Sequence, residues 1–156
     1  MIRNILKEPN SDLRLKSKPV KEKEINTDEF QELIDDMVKT MQANEGIGLA
    51  AAQVGERKRL IIVQTKTGLE AFVNPKITGR SLLHTQSEEG CLSIPGIYGL
   101  VKRNRRVSVK ALDRHGKKVK MRVGGMEAII FQHEIDHLNG ILFTDRVNHF
   151  TNPPKL

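Results

Sequence analysis

The stretch FQHEIDHLNG, residues 131–140, places two imidazoles four positions apart, with a glutamate directly after the first. On a helix, positions i and i+4 are about 40° apart around the axis, from 3.6 residues per turn. His133 and His137 therefore project from one face and can share a metal ion. Glu134 stands about 100° round from His133, too far to join them as a ligand but able to lean over an open coordination position. This is the H-E-x-x-H arrangement: two ligands, with a general base for water activated by the metal. Met126, Ile129 and Ile130 lie on or beside the histidine side. The histidines thus face inward, where polar groups without partners are costly. The plainer alternative is a pair of satisfied core histidines.

Two histidines do not hold a catalytic metal; a third protein ligand is needed. One class of metalloprotease continues H-E-x-x-H-x-x-G-x-x-H and takes it from a third histidine. Here Gly140 matches that pattern, but Phe143 stands at the third histidine's position. No glutamate occurs from Leu138 to Leu156, which leaves only Asp145 and His149 on that side. Upstream, SEEGCLSIPG (87–96) holds Cys91, the single cysteine of the chain. A thiolate is a good ligand for zinc or ferrous iron. A lone cysteine among apolar neighbours is more often core. Beside an orphan histidine pair, Cys91 reads as the third ligand, with water in the fourth place. A further candidate stretch is EGIGLAAAQVG (45–55). Gly46 and Gly48 admit close backbone approach, and the Gln53 amide can donate to a developing oxyanion. Taken alone, this stretch reads as a helix stop and turn.

The elements that must position these groups follow from patterning. Residues 26–46 predict a scaffold helix: Asn26 with Glu29 makes a capping box, and Phe30, Leu33, Ile34, Met37 and Met41 recur at helical spacing. RLIIVQT (59–65) reads as a strand, and AFVNPKI (71–77) as another with Pro75 at an edge or end. VSVKALD and KKVKMRV alternate around RHG and predict a β-hairpin over 107–123. Helical period returns at 124–140, with Gly140 as the stop. The tail FTDRVNHFTNPPKL, with Pro153 and Pro154, is expected to finish irregular. The order is α+β rather than repeating βαβ units: antiparallel sheets around a central histidine-bearing helix, in one domain of 156 residues.

One cysteine excludes an internal disulfide framework. No apolar run approaches the roughly 20 residues of a membrane span, and no signal peptide is read at the N-terminus; the cytoplasm is the expected address. The net charge of +7 admits a polyanionic partner. With no Trp and one Tyr, the base-stacking pattern of single-strand binders is missing. Solvated strand faces are the simpler account of the charge.

Taken together, GIGLAAAQ (46–53), EGCLS (89–93) and QHEIDH (132–137) resemble the three motifs of the peptide deformylase family, in the family's order. The resemblance implies Cys91, His133 and His137 as metal ligands and Glu134 as general acid and base. Gln53 and the Leu92 N–H are implied as donors to the formyl oxygen. Ile47, Gly48 and Gly90 are implied as a peptide-binding edge. A methionine pocket would draw on Ile47, Glu89, Met126, Ile129, Ile130 and His133, with Glu89 paired to Arg103. The family's metal is commonly Fe2+, with Zn2+, Ni2+ or Co2+ accepted, and its substrates are N-formylmethionyl peptides. A monomer is expected, with the ribosome surface as a further partner. Two departures stand out. The long C-terminal helix of many members is lacking here, and Tyr98 stands where some bacterial members carry a peptide-touching arginine. The competing readings are another metal-dependent amidase or endopeptidase, and a basic RNA-binding protein with a structural metal.

Overall fold

The computed structural model describes residues 1–152, so Pro153 and Pro154 lie outside the described residues. A 3₁₀ turn at Ser11–Arg14 and a short helix α1 at Glu22–Ile25 lead into the scaffold helix α2, Asp28–Ala43. The cap of α2 is Thr27, not Asn26. The Thr27 hydroxyl accepts the Phe30 N–H at 3.2 Å, whereas Asn26 is already engaged as the C-cap of α1. The expected stripe of Phe30, Leu33, Ile34, Met37 and Met41 is buried. Asn44 caps the far end, and the Gly46 N–H returns to the Met41 carbonyl at 3.0 Å.

Eight strands follow: β1 (Gly48–Ala50), β2 (Leu60–Thr65), β3 (Gly68–Arg80), β4 (His84–Cys91), β5 (Ile94–Asn104), β6 (Arg106–Leu112), β7 (Lys118–Gly124) and β8 (Val147–Asn152). They make two antiparallel sheets, ordered β1-β2-β3-β6-β7 and β4-β5-β8. β2 is buried on both faces. Leu60 and Ile62 pack toward α2, while Ile61 and Val63 pack toward the histidine-bearing helix α3, Gly125–Leu138. Each such side chain contributes about 1.5–3 kcal/mol by leaving water, so β2 anchors the first sheet between the two helices. Pro75 is inside β3 rather than at its edge or end; a register shift between Val73 and Lys76 takes it out of the ladder, so its missing N–H is not needed. The β6–β7 hairpin forms around Gly116, whose φ of 85° suits a turn glycine.

α3 buries Ala128 and every residue from Ile130 to Leu138. It ends where the sequence predicts, by a specific set of bonds. The Ile141 N–H reaches the Asp136 carbonyl at 3.0 Å and the Gly140 N–H reaches the His137 carbonyl at 3.1 Å, with Gly140 at φ 74°. That is a Schellman closure. The next carbonyl, of Leu138, is met by the Ser17 N–H at 2.8 Å and by Arg59 at 3.1 Å.

The tail departs from its expectation. Phe143–Asp145 forms a 3₁₀ turn, and Val147–Asn152 is strand β8, paired with β5. Burial of Leu142 and Phe143 in a third apolar cluster holds the chain down, and the open edge of β5 then offers it hydrogen bonds.

Candidate active site

Cys91 reaches the helix by way of a hairpin. β4 and β5 are joined through Leu92 and Ser93, with Cys91 opposite Ile94. This sets the Cys91 Sγ 3.3 Å from His137 Nε2. The ligand atoms of Cys91, His133 and His137 all lie within 4.8 Å of one another. The two imidazole centroids are 5.1 Å apart, as i, i+4 spacing on α3 requires.

His133 is oriented from behind. His133 Nδ1 is 2.8 Å from Glu89 Oε1, which leaves Nε2 for the metal position. Glu89 in turn accepts two hydrogen bonds from Arg103, both at 2.8 Å. Arg103 continues to Asp136 Oδ2 at 2.8 Å, and Arg146 grips the same Asp136 at 2.7 and 3.0 Å. Glu89, Arg103 and Asp136 are all buried. The expected Glu89–Arg103 pair is thus part of a longer chain of charges that ties β4, β5 and α3 together. The His133 ring stacks near Phe143, the residue that stands in the third-histidine position.

The electrostatics differ from group to group. Burial, then the positive charge of His133 and Arg103, pushes His137 well below its ordinary value and keeps it neutral. Burial opposes a charge on His133 too, but hydrogen bonds to Cys91 and Glu89 and the charge of Glu134 outweigh it and raise His133 to about 10. A metal at this position must displace that proton. Burial pushes Glu134 up to about 7, with the Glu89 charge adding and the His133 charge opposing. The Oε2 atom of Glu134 and Nδ1 of His137 are buried without a hydrogen-bond partner. Gln53, also buried, uses its Oε1 to accept the Ala50 N–H at 2.9 Å. Its Nε2 then points at Ser93 Oγ, 3.1 Å away, and Cys91 Sγ, 3.5 Å away.

These groups open onto a cavity of about 1060 Å³. Ile47, Gly48, Gln53, Glu89, Gly90, Cys91, Leu92, Met126, Ile129, Ile130, His133 and Glu134 all line it. His137 lies behind them, 1% exposed. Tyr98 also lines the cavity, its ring packed against Gly90 so closely that a Cβ at 90 would come within 2.6 Å. Sequence reasoning gave Ser93 no role of its own, although it closes the EGCLS motif, and did not pick out Arg146. Ser93 is a common residue type in a turn, and Arg146 pairs with Asp136 only once the tail has folded back.

A thiolate and two imidazoles converging from a helix and a separate hairpin, with a buried carboxyl beside them, fit one divalent ion. The 3.3 Å separation of Sγ and Nε2 is what two ligands about 2.0–2.3 Å from a shared ion would show. The upstream cysteine in place of a downstream histidine sets this centre apart from the protease pattern and defines a metal-dependent hydrolase of another kind. The comparisons agree. A family model described as Polypeptide deformylase matches residues 2–153. A peptide deformylase of Halothermothrix orenii is 51% identical over 140 residues, 86% of each chain. One of Symbiobacterium thermophilum is 51% identical over 148 residues, 93% of this chain and 66% of that one. The Met-Ala-Ser-bound crystal structure of a class I type b peptide deformylase from Acinetobacter baumannii has a TM-score of 0.89 at 38% identity, covering 94% of this chain and 99% of that one. The chain belongs to the peptide deformylase family, metal-dependent hydrolases that remove the N-formyl group from nascent polypeptides.

Proposed function

We propose that this protein hydrolyses the N-formyl group of formylmethionyl peptides with Glu134 as the proton carrier and Cys91, His133 and His137 as the metal ligands. The observation that carries this reading is the convergence of those three ligand atoms within 4.8 Å, beside a Glu134 whose Oε2 has no partner. When bound, a divalent ion supplies Lewis acidity, which lowers the pKa of water toward neutrality. We take ferrous iron as the resident ion; the donor set also suits zinc, and nickel or cobalt as substitutes.

The residues then divide the work. The substrate's methionine side chain enters the cavity between Met126, Ile129 and Ile130, and its backbone lies along Ile47, Gly48 and Gly90. Glu134 takes a proton from water as the water oxygen adds to the formyl carbon. The Gln53 amide and the Leu92 N–H donate to the formyl oxygen as it gains charge; losing one such donor typically costs roughly 2.7–4 kcal/mol. The C–N bond breaks, and Glu134 returns the proton to the departing nitrogen. Formate and a free methionyl amine result. The Met-Ala-Ser peptide bound to the Acinetobacter relative has the form of that product. Because nascent chains are the substrate, we place the enzyme in the cytoplasm.

The test is formate release from formyl-Met-Ala-Ser under anaerobic conditions with ferrous iron, for wild type and Glu134→Ala. The variant should keep its metal and lose about 100-fold or more of kcat. Metal-loaded wild type that releases no formate would overturn the reading.

A further inference from the structure

Residues 1–10 belong to no helix and no sheet, and most of them are exposed. Two of their main-chain N–H groups are nevertheless committed to the active site. The Leu6 N–H donates to the Gln53 carbonyl at 2.7 Å, and the Glu8 N–H donates to the Ser93 carbonyl at 2.9 Å. Two residues of chain span at most about 7 Å, so these bonds hold the Gln53 and Ser93 carbonyls a short, set distance apart. The segment is itself anchored. Upstream, the Arg3 N–H donates to Thr40 Oγ1 at 2.8 Å, and the Arg3 guanidinium meets Asp36 and Glu56 at 3.1 and 2.9 Å. Leu6 packs against the third apolar cluster, beside Leu13 and Ile94. Ile5, Leu6 and Lys7 also line the catalytic cavity.

The two carbonyls come from parts of the fold that little else ties together. Gln53 lies in a 3₁₀ turn, Ala51–Val54, that follows β1 of the first sheet. Ser93 lies in the two-residue turn between β4 and β5 of the second. Among the described residues, no strand of one sheet pairs with a strand of the other. The direct hydrogen bonds between the two turns come from Gln53 Nε2, to Ser93 Oγ and Cys91 Sγ. That nitrogen is the same one assigned to the formyl oxygen. Leu92 and Ser93 make up the whole turn, so fixing the Ser93 carbonyl also restricts the Leu92 N–H.

We propose that Leu6 and Glu8 are positioning residues, an inference that rests on the reading of Gln53 and Leu92 as donors to the formyl oxygen. Their main-chain N–H groups form a bracket that sets the distance between the Gln53 amide and the Leu92 N–H. Donors of this kind are effective because they are fixed in advance where charge develops. A Gln53 Nε2 that turns to the formyl oxygen gives up part of its hold on Ser93. The bracket is main-chain and keeps its bonds when substrate arrives. Its effect falls on the step in which the oxygen gains charge, and so on kcat rather than KM. Because the bonds are main-chain, the side chains at 6 and 8 carry no sign of them in the sequence.

The test replaces Leu6 or Glu8, by in vitro translation of the full chain, with the α-hydroxy acid of the same side chain. This exchanges the N–H for an ester oxygen and keeps the shape. Lys7, whose N–H has no partner among the described residues, is the control. Formyl-Met-Ala-Ser turnover is measured per bound metal, with urea midpoints alongside. The esters at 6 and 8 should lose about tenfold in kcat with KM within about twofold, a fraction of the roughly 100-fold that a 1 Å misplacement costs. The ester at 7 should match wild type. In a Gln53→Ala background the Leu6 ester should cost less than about threefold further, because one donor that it aims is gone. In the metal-free protein, the NMR signals of the Gln53 side-chain amide should shift in the Leu6 ester and not in the Lys7 ester. The esters at 6 and 8 are independent, so either decides the question if the other does not fold. Esters at 6 and 8 no slower than the ester at 7, or equal losses in the two backgrounds, would overturn the proposal. Gln53→Ala with the kcat of wild type would instead overturn the donor reading beneath it, so the two failures are distinguishable.

Discussion

Glu134 is tightly packed on the side of Gly48, and that contact limits where its carboxyl can point. A Cβ built on Gly48 would lie 2.6 Å from Glu134 Oε1, 2.9 Å from its Cγ and 2.9 Å from Ile130 Cγ2. Real side-chain atoms do not approach so closely, so a methyl group there must push the carboxyl aside. A displacement of about 1 Å at a reacting group can cost about 100-fold in rate. Gly48→Ala should therefore fold and bind metal like wild type while losing about 100-fold in kcat. Gly46→Ala is the comparison: its Cβ would meet Leu92 Cδ1 at 3.0 Å and Met41 Cγ at 3.2 Å, side-chain atoms other than the Glu134 carboxyl. Its kcat should stay much closer to wild type. Equal kcat values for the two variants would mean that Gly48 does not position Glu134.

The helix terminus beside His137 is fixed in a similar way, by a residue with no room for a side chain. Gly140 has φ 74°, and a Cβ on it would fall 2.3 Å from the Arg14 carbonyl oxygen. The obstacle is backbone, which cannot swing away. Gly140→Ala should cost about 3 kcal/mol, the left-handed penalty plus the clash. Gly116→Ala, at φ 85° with its nearest neighbour 3.8 Å away, should lose only about 1 kcal/mol. Urea denaturation of both would separate the two contributions, and equal losses would show that the Arg14 contact does not matter. Gly140 was legible in the sequence because helix stops have a local signature, as do the H-E-x-x-H spacing of α3 and the alternation of β6 and β7. The β4 strand was not legible. Its sequence HTQSEEGC has neither alternation nor β-branched richness, and it is a strand because β5 pairs with it and Arg103 compensates its buried Glu89. β8 was missed for the same kind of reason: VNHFTN gains partners only from an edge that another part of the chain supplies. Of the site, the residue types and the helix face could be read from spacing. The resemblance to known motifs indicated the Glu89–Arg103 pair. The extension of that pair through Asp136 to Arg146 needed the fold.

Across the molecule, the site is assembled from segments far apart in sequence, and the buried run Glu89–Arg103–Asp136–Arg146 is what crosses between them. Burial alone would raise the Glu89 pKa. Hydrogen bonds from Arg103 and His133, with their positive charge, outweigh that and hold it at about 2 against an ordinary 4.5. A carboxyl whose folded-state value is depressed stabilises the fold above its ordinary pKa and loses that contribution as pH falls toward the lower one. For Glu89 the contribution is complete above pH 4.5 and declines toward pH 2, and its size is about 3 kcal/mol. Glu89→Gln removes the charge but keeps the shape, leaving Arg103 with one carboxylate partner instead of two. The variant should be less stable than wild type by about 3 kcal/mol at pH 7, and the gap should close as pH drops below 4.5. Chemical denaturation of both proteins with the metal chelated, at pH 7, 5 and 3, measures this directly. Chelation matters because ligation at His133 would add its own pH dependence through the proton it must displace. A gap that stayed constant from pH 7 to 3 would mean that the packing of residue 89, and not its charge, joins the hairpin to α3.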